Sequence, residues 1–204
     1  MALLTLCGVG NAQISGFNVG YCQGEIGGFP STAIDYFSNM STQKQAWNSA
    51  AILLPAEKVK MFVGNDIKEI HAGLASKLNV DSLRVWVRQD LNGENLAEAL
   101  TTAPVKGWNT VAFDVPYTVT ETSGALYVGY SYHQKSTSKA MSVIESGVSG
   151  YSCFVQSGEG EWTDWSNDYS LSLEALIYGD NLPKCDLTLQ NITIQPNYVL
   201  MRVL

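Results

Sequence analysis

The chain has 204 residues, a formal net charge of −7 and a pI near 4.7. That balance argues against nucleic acid as a partner, because phosphate backbones need clustered Lys and Arg, and it disfavours anionic membrane. With 46% hydrophobic and 15% charged residues, the chain can bury the core of one large β domain plus a fragment.

Met1–Gln13 (MALLTLCGVGNAQ) is an apolar run followed by Gly10-Asn11-Ala12. Small residues at Gly10 and Ala12 fit signal-peptidase cleavage before Gln13, so residues 1–12 are expected to be a signal peptide. No Lys or Arg precedes Lys44, so the usual basic start is missing. A buried first strand is the alternative. Leu6 before Cys7 fits a lipoprotein signal poorly. After Gln13 no apolar run approaches the length of a membrane span, so no membrane insertion is expected. Cys22, Cys153 and Cys185 then remain, an odd number with no assignable pair and no zinc-type spacing.

Period-two alternation dominates the body of the chain. Ile70, Ala72 and Leu74 alternate with Glu69, His71 and Gly73. Leu83, Val85 and Val87 alternate with Arg84, Trp86 and Arg88. The same pattern runs through Val111–Val115, Leu126–Tyr132 and Leu171–Ile177. Such segments between Gly, Asn, Asp and Ser breaks predict half-buried antiparallel strands, and many of them predict an all-β sandwich or barrel. The core is expected to hold Leu83, Val85, Val87, Val111, Phe113, Leu126, Val128, Leu171 and Leu173. Helix signals are sparse. Pro55–Met61 suits a single turn, and Asn95–Thr101 holds helix formers but is short. No long amphipathic helix appears, which argues against a βαβ nucleotide fold. Asn181–Cys185 has the composition of a linker. The alternating run after it suggests the first strand or two of a truncated Ig-like module, with an edge strand of the main domain as the alternative.

The segments AAILLPAE, IKEIHAGLAS, LRVWVRQDLNGENL, GWNTVAFDVPYTV and ALYVGYSYHQ, with Val19-Gly-Tyr-Cys22 before them, resemble a jelly-roll module of secreted Bacteroidetes proteins. These modules are similar to cleaved-adhesin and carbohydrate-binding-module sandwiches. The resemblance covers about residues 19–180 and implies an antiparallel jelly-roll sandwich over 13–180. Residues 181–204 would then be a linker and the start of an Ig-like module, with other domains of a longer chain as neighbours. It further implies an extracellular or cell-surface location in an adhesin-type or protease-associated protein. Asp81-Ser82-Leu83 would match an O-glycosylation acceptor of such bacteria. The Trp-Leu-Ile-Thr-Pro segment of cleaved adhesins is not found.

Three constellations bear on chemistry. Asp90-Leu-Asn-Gly-Glu94-Asn95 has calcium-loop oxygens, yet Asn92-Gly93 between strands is a hairpin signal and is preferred. Trp162 and Trp165, in a loop with Glu161, Asp164 and Asp168, suit stacking on sugar faces or covering a sandwich end. Arg84, Trp86 and Arg88 share one side of a strand. If neighbouring strands add His71 and Glu174, that side becomes a polar groove with an aromatic floor. The expected ligand-binding residues are therefore Trp86, Arg84, Arg88, Glu174, Trp162 and Trp165. Asn39-Met-Ser41 and Asn191-Ile-Thr193 fit the N-glycan sequon. No GxSxG, HExxH or P-loop is present, and nothing local supports a Cys153–His133 pair. The expectation is a non-catalytic module without cofactor or metal, binding a glycan or host or cell-surface ligand, with a purely structural spacer as the alternative.

Overall fold

A computed structural model describes residues 16–22, 35–36, 45–136, 139–183, 194–195 and 198–199. The leader at 1–13, both sequons, Cys185 and most of the expected tail strand lie outside these residues.

The strands in chain order are β1 (Gly16–Gly20), β2 (Asp35–Tyr36), β3 (Ala46–Leu54), β4 (Asp66–Leu74), β5 (Val80–Arg88), β6 (Ala97–Thr101), β7 (Gly107–Thr118) and β8 (Leu126–Gln134). There follow β9 (Ser142–Ile144), β10 (Phe154–Ser157), β11 (Thr163–Asp164), β12 (Ser170–Leu171), β13 (Leu173–Tyr178), β14 (Ile194–Gln195) and β15 (Tyr198–Val199). One turn of helix, α1 (Ala56–Val59), runs into a 3-10 turn at Lys60–Phe62. Pro55 starts it, as expected: its fixed φ suits a helix entrance, and the N–H it lacks would have no helical partner there.

A four-stranded sheet has the order β1-β13-β4-β7, and a six-stranded sheet the order β11-β10-β3-β8-β5-β6. A small sheet, β12-β9-β2, a two-stranded ladder of β14 and β15 and an isolated bridge between Leu74 and Met141 complete the pairing among described residues. The pairings are antiparallel. The alternation read from sequence decides which side chains meet. Val19, Ile70, Ala72, Phe113, Leu173 and Ala175 from the four-stranded sheet join Ile52, Leu83, Val85, Leu126, Val128 and Tyr130 from the six-stranded sheet in one buried cluster. The molecule is thus an all-β sandwich, and the nine predicted core residues are all buried.

Two local outcomes matter. Ala97–Thr101 forms strand β6 on the edge of the six-stranded sheet, although its residues favour a helix. Five residues cannot stabilise a free helix, and pairing with β5 while burying Ala97 overrides the propensity. The ladder between β4 and β7 is interrupted: Ile67 faces Tyr117 but Glu69 faces Ala112. Phe113–Pro116 therefore stands opposite Lys68 alone. Phe113 roots this excursion in the core, while Val115 at its crest is 79% exposed.

Candidate functional site

The outer face of the six-stranded sheet collects side chains from four strands. Trp47 lies beside His133, Ser49 beside Ser131, and Ala51 beside Gly129 on β3 and β8. On β5, Arg84 aligns with Ser131, Trp86 with Gly129, and Arg88 with Tyr127. Phe154 of β10 aligns with Ala51. The middle of this face is built of small residues, with aromatics and arginines around them.

Trp86 fills that middle. It has no exposed surface, so the expected open aromatic floor is corrected. The cause is Gly129 opposite it: a Cβ there would collide with the six-membered ring of the indole, so glycine lets the indole lie on the neighbouring backbone. The indole Nε1–H donates to Ser131 Oγ at 3.1 Å, and Ser131 Oγ lies 2.8 Å from Ser49 Oγ. Above the ring sits the Arg88 guanidinium, 4.0 Å from the centroid. Trp162 meets Trp86 edge to face at 6.1 Å. Arg88 is itself fixed, its Nε donating to Asn95 Oδ1 at 2.6 Å and Nη1 to the Leu91 carbonyl at 2.8 Å.

Arg84 and Trp47 form the open part of the face. The Arg84 guanidinium lies 5.1 Å over the Trp47 ring, and the Trp47 and His133 rings are 5.3 Å apart. Trp47 is 37% exposed. Glu98 of β6 approaches Arg84 at 3.9 Å. His133 Nδ1 contacts Asp81 Oδ1 at 2.8 Å, and Lys135 Nζ reaches the other Asp81 oxygen at 3.1 Å. The His133 hydrogen bond, first among the causes, holds the Asp81 carboxyl down at about 2.

The remaining expected residues separate from this face. Glu174 and His71 belong to the four-stranded sheet and lie on the far side of the molecule from Trp86. The groove combining them is therefore corrected: the condition that His71 and Glu174 come from strands beside β5 is not met, because the pairing puts β13 and β4 in the other sheet. Trp165 packs against the core cluster beside Tyr169, with ring centroids 6.5 Å apart, whereas Trp162 packs on Trp86. Of the six expected residues, the fold brings Trp86, Arg84, Arg88 and Trp162 together. Trp47 escaped the sequence reading. Its signal was the alternation Trp47, Ser49, Ala51 on a strand whose other side carries Ala50, Ile52 and Leu54.

Around Glu174 is a second, covered polar cluster. Asn18 Nδ2 donates to Glu174 Oε2 at 3.0 Å, the Cys22 thiol lies 3.6 Å from Oε1, and His71 Nδ1 lies 3.9 Å from Oε2. Burial pushes the Glu174 carboxyl up and His71 down, and it raises the Cys22 thiol to about 12 with help from the Glu174 charge. Cys153 is likewise raised to about 12 by burial in the core, away from outward-facing His133. Both thiols are buried, free and protonated at neutral pH, which makes them poor nucleophiles. In the Asp90 loop, the Asn92 N–H donates to Asp90 Oδ1 at 2.8 Å and the Gly93 N–H to the Asp90 carbonyl at 3.0 Å; this is a turn centred on Leu91 and Asn92 within a longer connection between β5 and β6, without the positive φ of an Asn-Gly hairpin turn, so that expectation is corrected. Among the described residues no group of three or more His, Cys, Asp or Glu is arranged to hold a metal.

No family model, curated protein or solved structure matches this chain. The fold and site define an antiparallel all-β sandwich with an aromatic, cationic outer face. The likeness to secreted jelly-roll modules rests on the sequence motifs alone.

Proposed function

We propose that the chain is a secreted, non-catalytic module of jelly-roll type that binds a glycan or another surface ligand through the outer face of its six-stranded sheet. The observation that carries this reading is Trp47. Its ring stays 37% exposed on a face where the other large indole, Trp86, is fully covered. An exposed indole flanked by Arg84 and His133 presents an apolar surface with polar groups at its rim, which suits the face of a sugar ring. A single shallow contact of this kind binds weakly, so useful adhesion comes from several modules in one chain.

The burial of Trp86 supports a second reading, a spacer whose aromatics pack against one another. A glycan array separates the two. Under the binding reading, wild type retains at least one glycan and Trp47→Ala loses it with an unchanged melting curve. An array blank for wild type as well supports the spacer. Trp86→Ala is expected to destabilise the sheet rather than remove binding selectively.

A further inference from the structure

The two arginines on the outer side of β5 are used differently. Arg88 is anchored by two hydrogen bonds and caps a buried ring. Arg84, four residues earlier, lies over a ring that is part-exposed to solvent, and its guanidinium makes no hydrogen bond within the described residues. Glu98, at 3.9 Å, is its ion-pair partner, and both side chains are about half exposed, at 41% and 51%. The other nearby carboxylate, Asp81, is already bound by His133 and Lys135. The open end of the face therefore offers a part-exposed indole with a guanidinium lying over it, the guanidinium being held by that ring contact and by an ion pair to Glu98, whose carboxylate also accepts from Asn95.

We propose that Trp47 and Arg84 form a subsite for an acidic sugar, with the pyranose face on the indole and its carboxylate on the Arg84 guanidinium. This rests on the binding reading above and adds the ligand class. The planar guanidinium matches a carboxylate with two parallel N–H···O bonds, which an ammonium cannot reproduce. Glu98 sets the threshold, because a bound carboxylate must displace it. It thereby selects against small free anions, which gain nothing from the indole. The net charge of −7 opposes any anionic ligand, so the Trp47 ring contact and the Arg84 pair have to outweigh it.

Isothermal titration at low salt tests this with three polymers: polygalacturonate, its methyl-esterified form, and polyglutamate. The first carries ring and charge, the second the ring alone, and the third the charge alone. Polygalacturonate is expected to bind about fivefold tighter than the ester, the size of one exposed ion pair. Arg84→Gln should abolish that difference and Arg84→Lys restore part of it. Glu98→Gln should strengthen polygalacturonate binding and leave the ester unchanged. Trp47→Ala should remove both, and polyglutamate should not bind. If both sugar polymers bind equally and depend on Trp47, the acidic preference is overturned while the binding module stands. If polyglutamate binds as well as polygalacturonate, ring recognition is overturned. No binding of any polymer overturns the subsite, and a blank glycan array then removes the wider reading too. Circular dichroism melting of each variant reports whether a loss comes from unfolding.

Discussion

Asp81 and Glu174 are carboxylates in opposite surroundings, and they give opposite pH dependence. The Asp81 carboxyl is lowered from its ordinary 3.8 to about 2, chiefly by His133. Its contribution to stability is present above the ordinary value and is lost as pH falls toward 2. Glu174 is raised by burial, so the folded state holds its proton more tightly than the unfolded chain does. Stability from that group is full below the ordinary carboxylate range and declines as pH rises through the raised value. Asp81→Asn should flatten the acid limb of a stability–pH curve. Glu174→Gln should raise the melting temperature relative to wild type at pH 8 and do so less at pH 4. Equal effects of Glu174→Gln at both pH values would show that the buried carboxyl is not shifted. At this scale the sequence showed that Arg84, Trp86 and Arg88 share a side, since strand alternation requires it. It did not show that Trp86 is covered, because that depends on Gly129, 43 positions away and brought opposite only by the β5–β8 register.

At the level of elements, the pairing of β5 with β8 is keyed by one missing side chain. Gly129→Ala places a methyl against an indole held by Arg88 and Trp162. A cost of about 1–3 kcal/mol is expected from such overpacking. A red-shifted tryptophan emission should accompany it as Trp86 lifts into water. Unchanged emission and stability would mean the indole is not seated on Gly129. Phe113, buried at the root of the β7 excursion, should cost ~3–5 kcal/mol when cut to Ala, measured by urea unfolding. A loss near zero would invert the assigned face of β7. Strand elements were readable because alternation over five or more residues is a strong local signal. β6 was less so, since its Ala, Glu and Leu composition speaks for helix and only its neighbour β5 makes it a strand.

For the whole molecule, the all-β class and the buried core followed from residue patterns, whereas the assignment of strands to sheets did not. β4, β5 and β13 have similar alternation, yet β5 joins one sheet while β4 and β13 join the other. Long-range pairing decided that, and with it which polar side chains became neighbours. Among the described residues the same topology leaves β7 as an outermost strand of the four-stranded sheet. A long outermost strand offers unsatisfied amides and carbonyls to any other chain in extended form. Here the Phe113–Pro116 excursion breaks the run, with Asp114 and Pro116 beside the crest at Val115. Removing Asp114, Val115 and Pro116 would leave Phe113 facing Lys68 one to one and restore an unbroken ladder. That variant should associate more strongly with increasing concentration than the parent chain, as read by sedimentation velocity. Identical sedimentation of the two would assign the excursion no protective part. Three residues remote from the outer face of the six-stranded sheet would then act as a guard against fibre formation.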